Sequence, residues 1–133
     1  MNTGAVMDGL AAALDAIGGL KVYEYPPDAI VTPAGIVGYP DPFSFDAVMG
    51  RGADRGTFPV HVVVSKSSDR AARSALVEYM AGFGAKSVKA ALEVDGTLGG
   101  VAASVRVTGF SGVDLDVGGV RYVAASFSVD VIG

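Results

Sequence analysis

From Val101 to Val131 the apolar residues fall on alternate positions, and that pattern constrains this chain more than any other. Val101, Ala103, Val105, Val107, Val113, Leu115 and Val117 hold odd positions, opposite Ser104, Arg106, Thr108, Asp114 and Asp116. Beyond Gly118-Gly119 the odd positions stay apolar, with Val123, Ala125, Phe127, Val129 and Val131. A period of two sends successive side chains to opposite faces of a strand, so the stretch predicts a long two-stranded hairpin. A two-residue turn at Gly118-Gly119 would pair Val117 with Val120 and set Asp114 on the face of Val123 and Phe127. Matching the apolar faces instead requires a three-residue loop with a glycine bulge. The three-residue loop is the expectation; burial of both faces would permit the shorter one.

Upstream the period changes. Val6, Leu10, Leu14 and Ile17 recur at helical spacing behind a cap at Asn2 or Thr3, and Gly18-Gly19 is the expected stop. Lys21 to Tyr25 reads as a short strand halted by Pro26-Pro27, and Gly35 to Tyr39 as a second. Extended structure resumes after Pro42, where Phe43 and Phe45 alternate with Ser44 and Asp46. Thr57 to Ser65 is a third strand, with Val60, Val62 and Val64 on one face and His61 and Val63 on the other, the mark of a central strand. Ser67, Ser68 and Asp69 signal a helix start, and Ala72, Leu76, Met80 and Phe83 form its apolar stripe. Ser87 to Glu93 is a shorter helix presenting Val88, Ala91 and Leu92. The order α-β-β-β-α-α-β-β predicts an α+β fold: a largely antiparallel β-sheet with helices packed on one face.

A length of 133 residues fits one domain, spanning 1–133, with no interdomain linker or internal repeat. Cysteine is absent, which removes disulfides, thiolate metal sites and cysteine nucleophiles. Ten basic residues are scattered within a net charge of −4, so nucleic-acid affinity through clustered cations is not expected. Asp8 and Asp15 interrupt the N-terminal apolar stretch and no Lys or Arg precedes Lys21, so neither an export signal nor a membrane span is expected. Charged residues make up only 18% of the chain, below the usual quarter or so, which fits equally an Ala-, Gly- and Val-rich composition and surface buried between copies.

The chemical motifs fail one by one. Phe83-Gly84-Ala85-Lys86-Ser87 has Ala where a phosphate loop needs Gly before Lys, and it follows a helix rather than a strand. Gly109-Phe110-Ser111-Gly112 brings its second glycine one place too early for a nucleophile elbow. His61 is the single histidine and sits mid-strand, where a hydrogen-bonded, half-buried imidazole is the expected state. Asp114 and Asp116 could reach a cation together with Asp130, but no calcium-type loop accompanies them. No catalytic group, cofactor or metal is expected.

Tyr39 to Arg55 is different in kind. Its Pro and Gly residues suit a loop or hairpin projecting at about 40–60, and Arg51, Asp54 and Arg55 are set among Gly50, Gly52, Ala53 and Gly56. Interfaces favour aromatic residues, Met and Arg. Phe43, Phe45, Asp46, Met49, Arg51, Asp54 and Arg55 are therefore the candidate protein–protein contact residues.

With these motifs in hand, the chain resembles the tail terminator proteins of long-tailed, non-contractile phages, especially those of actinobacteria. The resemblance runs over nearly the whole sequence. Leu20-Lys21-Val22-Tyr23 leading to Tyr25-Pro26-Pro27, Gly38-Tyr39-Pro40, and above all Met49-Gly50-Arg51-Gly52-Ala53-Asp54-Arg55 carry it. Ser68-Asp69-Arg70-Ala71, Ser87-Val88-Lys89-Ala90 and Phe127-Ser128-Val129-Asp130-Val131 complete it. The resemblance implies a homo-oligomer, a hexameric ring at the head-proximal end of the virion tail. Such a ring caps the tube of major tail protein, stops its growth, and offers its other face to head-completion or neck proteins. Alternatives are another neck or tail component, such as a head-completion or tube protein, and a small enzyme or ligand-binding domain using His61.

Overall fold

The fold was obtained as a computed structural model, which describes residues 2–17, 20–23, 33–45, 54–66, 71–84, 86–117 and 119–133. Helix α1 spans Thr3–Asp15, and the Asn2 side chain caps it by accepting from the Ala5 N–H at 3.1 Å. Strands β1 (Lys21–Tyr23), β2 (Ala34–Val37), β3 (Phe43–Ser44) and β4 (Arg55–Lys66) follow. Helices α2 (Ala71–Met80) and α3 (Val88–Glu93) precede the hairpin of β5 (Ser104–Val117) and β6 (Val120–Ile132). The α+β class is as expected, with β3 as a further short strand that the expected order lacks. Five strands lie in the order β1-β2-β4-β6-β5, and β3 pairs with the start of β4. Only β1 and β2 run parallel.

One core holds the layers together. Val6, Leu10 and Leu14 of α1, Leu76 and Tyr79 of α2, and Val88 and Leu92 of α3 meet Phe58, Val60 and Val62 of β4 and Ala125, Phe127 and Val129 of β6. All three helices thus lie on one face of the sheet. The opposite face carries a smaller buried cluster of Ala34, Ile36, Val63, Tyr122 and Ala124. Apolar burial on both sides of β4 accounts for its central place between β2 and β6.

The hairpin corrects the expected register. Val117 pairs with Val120, so the turn has two residues, and Gly119 takes a left-handed φ of +81° that suits such a turn. Asp114 consequently lies opposite Val123, and Phe110 opposite Phe127. A register shift between Val107 and Gly109 absorbs one residue. Before the bulge Val105 and Val107 face the helices; beyond it the even positions Phe110, Gly112 and Asp114 do. The alternation in β5 is therefore two half-patterns of opposite parity, and a three-residue loop is unnecessary.

Other boundaries move for local reasons. Strand β2 ends at Val37, before Tyr39: the Gly38 N–H still donates to the Pro59 carbonyl at 2.8 Å in register, but Pro59 has no N–H to return, so the ladder stops there. Pro59 faces the β2 side, so its missing N–H costs one rung there and leaves the bonds of β4 to β6 intact, which is how a central strand tolerates it. Helix α2 stops at Met80, so Phe83 falls outside the stripe expected for it and is 82% exposed. Helix α3 begins as expected, with the Ser87 hydroxyl accepting from the Ala90 N–H at 3.1 Å. The expected helix stop at 18–19, helix start at 67–69 and strand residues 24–25 lie outside the described residues.

A Cβ at Gly38 would come within 2.7 Å of Pro59 Cγ and 3.2 Å of the Pro59 carbonyl oxygen. Gly38→Ala is thus expected to cost about 1–3 kcal/mol in urea unfolding, the usual range for overpacking. An unchanged midpoint would contradict the close approach of these two segments.

Candidate assembly surface

The residues singled out between 43 and 55 divide into two groups. Phe43 and Phe45 stand edge to face with ring centroids 4.9 Å apart. Phe43 is half-buried against the sheet end, whereas Phe45 is 78% exposed. Asp46, Met49 and Arg51 lie outside the described residues. Asp54 and Gly133 exchange main-chain hydrogen bonds at 2.8 and 3.0 Å, which ties the start of β4 to the chain end. Arg55 opens β4 and forks onto Asp130, Nε to Oδ1 at 3.0 Å and Nη2 to Oδ2 at 2.8 Å. The Asp130 hydrogen bonds, then its charge, raise the Arg55 pKa above its ordinary value. The fork is thus engaged within its own sheet.

The base of the segment is embedded rather than projecting. Residues 43–44 pair with 56–55, and Arg55 is already in register with Ile132 of β6. The tip of the expected hairpin, 46–53, falls outside the described residues.

The hydrogen bond expected at His61 is missing from Nδ1 among the described residues. The His61 ring is half-buried on the helix-free face of β4, in register with Ile36 and Ser126. Burial lowers its pKa, because desolvation penalises the imidazolium. The three aspartates considered for a cation are split. Asp114 lies on the helix side, opposite Val123, while Asp130 is on the other face, bound to Arg55. Among the described residues no group of three or more metal-ligating side chains occurs.

Two grooves flank α1. One of about 310 Å³ runs between α1 and α3, lined by Gly9, Ala12, Ala13, Leu92 and Leu98 among others. Asp95 sits at its rim, but its carboxylate accepts from Thr97 N, Thr97 Oγ1 and Gly99 N at 2.7–3.0 Å. The Thr97 side-chain bond, then the two amides, hold the Asp95 carboxyl below its ordinary pKa. The other groove, of about 290 Å³, lies beside β1 and is lined by Asp8, Ala11, Ala12, Asp15 and Val22. His61 lines neither.

The phosphate-loop look-alike is likewise committed elsewhere. Lys86 reaches Glu78 at 3.0 Å, and Ser87 is buried as the cap of α3 while its hydroxyl donates to the Ala81 carbonyl.

Sequence reasoning missed how the sheet edge is treated. Glu93, at the end of α3, accepts the outward Val107 N–H of edge strand β5 at 2.9 Å and is held by Lys89 Nζ at 2.6 Å. Burial pushes the Glu93 carboxyl up, but the Lys89 bond, the Val107 amide and the charges of Lys89 and Arg106 outweigh it and hold the pKa below normal. Covering an edge in this way discourages strand pairing there. Only a Lys-x-x-x-Glu spacing announces the pair, and that spacing also fits any solvated helix face. Past the bulge, residues 108–112 remain exposed, and the Phe110 ring, 49% exposed, leans on Phe127 at 5.5 Å. No family model matches this chain, and no curated protein does either. No helix among the described residues is long and apolar enough to cross a membrane.

The His61 shift fixes a sign. With the folded-state pKa below the unfolded value of about 6.5, the unfolded chain binds more protons as pH falls through that value. Stability is therefore full above pH ~6.5 and declines below it. Glu93 and Asp95, with depressed pKa values, extend the loss below pH ~4.5. His61→Gln is expected to flatten the unfolding free energy between pH ~6.5 and ~5, measured by urea titration. An identical slope in parent and variant would remove His61 from the account.

Proposed function

We propose that this chain is a structural tail terminator of a long-tailed, non-contractile phage, which works by assembling into a hexameric ring and makes or breaks no bond. The ring caps the tail tube at its head-proximal end, stops further addition of the major tail protein, and offers its far face to head-completion or neck proteins. What supports this reading is the resemblance carried by the ordered motifs from Leu20 to Val131, joined to one structural observation. All three helices lie on one face of the sheet, leaving a long strand edge beyond Val107 that the described helices do not cap.

The mechanism is steric. A closed ring repeats one contact between two different patches of the subunit. One ring face must complement the last tube layer, and the other must fail to accept a further tube subunit, so that growth ends. The exposed Phe45, standing against Phe43 beside the motif-bearing segment 46–53, supplies an apolar anchor of the kind that dominates such contacts. The imidazole of His61 is not required for this work. His61→Gln is expected to leave assembly intact.

The purified protein is expected to have the mass of six subunits by light scattering, and a single layer of it to be found at the head-proximal end of tail particles. A monomer absent from those particles overturns the proposal. Many stacked layers would make it a tube subunit instead.

A further inference from the structure

Among the described residues, β5 beyond Val107 and β1 form the two opposite edges of the sheet. Which amides point outward follows from a few fixed bonds. The carbonyls of Thr57 and Pro59 accept from Asp41 and Gly38, so the odd residues of β4 turn toward the β2 side. Phe58, Val60 and Val62 then bond to Val129, Phe127 and Ala125, and the even residues of β6 turn to β5. Val107, opposite Val129, accordingly points its N–H outward to Glu93. Beyond the bulge Gly109 and Ser111 lie opposite the even residues Ser128 and Ser126. The outward main-chain groups there belong to Phe110, Gly112, Asp114 and Asp116.

On the far edge, the Lys21 N–H donates to the Pro33 carbonyl at 3.0 Å, so Lys21 faces β2 and Val22 faces outward. The registers place Val22 level with Gly35, Val62, Ala125 and Gly112 in turn. Three antiparallel steps separate β2 from β5, so β5 runs antiparallel to β1. Two outward-facing residues therefore stand at the same height on opposite edges, with the strand polarity that favours pairing.

We propose that β5 of one copy pairs antiparallel with β1 of a second copy, Gly112 opposite Val22, joining the sheets edge to edge and head to tail. This rests on the ring reading above and names its subunit seam. Because β1 is only three residues long, the main chain supplies a short ladder, and a side chain must add apolar contact. Phe110 does so. It lies on the helix side of β5, the side on which the groove lined by Ala11, Ala12 and Val22 opens beside β1. Gly112 adds no side chain that would hold Val22 away. The two patches differ, so repeating the contact propagates around an axis rather than ending at a pair. Asp114 and Asp116 of β5 approach Asp8 and Asp15 of the groove, so salt strengthens the assembly by screening like charges.

The chain has no cysteine, which makes the seam directly testable. A hydrogen-bonded antiparallel pair holds its Cα atoms about 5.5 Å apart, within the span of a disulfide. Within one chain, positions 22 and 112 are four strand spacings apart, about 19 Å, too far to bridge. Oxidised Val22→Cys/Gly112→Cys protein is expected to give a ladder of covalent multimers on a non-reducing gel, with each single variant stopping at dimers. An oligomer whose double variant cross-links no further than the singles overturns this seam and leaves the ring reading standing. A protein that forms no oligomer overturns both. Gly112→Pro removes one outward N–H and leaves the β6 ladder alone, so assembly is expected to weaken about tenfold or more with the far-UV spectrum unchanged. Phe110→Ala is expected to act in the same direction. Full-strength assembly in both variants also overturns the seam.

Discussion

The pairing of β4 with β6 is the constraint on which the rest of this structure depends. It runs from Arg55 opposite Ile132 to Lys66 opposite Tyr122. Its register turns Phe58, Val60 and Val62 toward the helices together with Phe127 and Val129. A slip of one residue would exchange that set for Thr57, Pro59 and His61 and empty the core of its largest side chains. The Arg55–Asp130 fork and the Asp54–Gly133 main-chain pair fasten one end of this ladder. A bulge between Val63 and Ser65 relaxes the other.

From that pairing the one-sided architecture follows. Three helices cover one face, and Gly35 lets α1 come close, since a Cβ there would lie 3.2 Å from Leu20 and 3.4 Å from Leu14. Among the described residues the sheet ends in two unlike edges, β1 and β5. Helix α3 caps the first part of the β5 edge through Glu93, and the bulge that follows swings Phe110 onto the helix side. Covered and open stretches of one strand are thus set apart by a single extra residue. In the proposed assembly, that confines pairing to one stretch of the strand.

Much of this was legible in the sequence, and the exceptions are physical. The spacing of Val6, Leu10 and Leu14, the cap at Ser87, and the two apolar faces around His61 each depend on local pattern, and each located its element. The β5 parity did not, because residues 101–107 and 113–117 are both odd, and Phe110 alone, at an even position between them, marks the shift made by the extra residue at Thr108. Phe83 continued a helical spacing that the backbone abandons after Met80. The role of Glu93 arises only when α3 packs against β5, a contact between segments 14 residues apart. In the candidate segment the composition marked Phe43, Phe45 and Arg55 alike as candidate contact residues. It did not reveal that Arg55 would already be bound to Asp130, 75 residues away.

As proposed, this protein works by geometry: a sheet with one face shielded by helices and two edges that pair between copies. Electron micrographs of the purified protein at assembling concentration test that most directly. Closed rings of six around an open centre are the predicted result. Open filaments or two-fold pairs, or a preparation with no rings at any salt concentration, would contradict it.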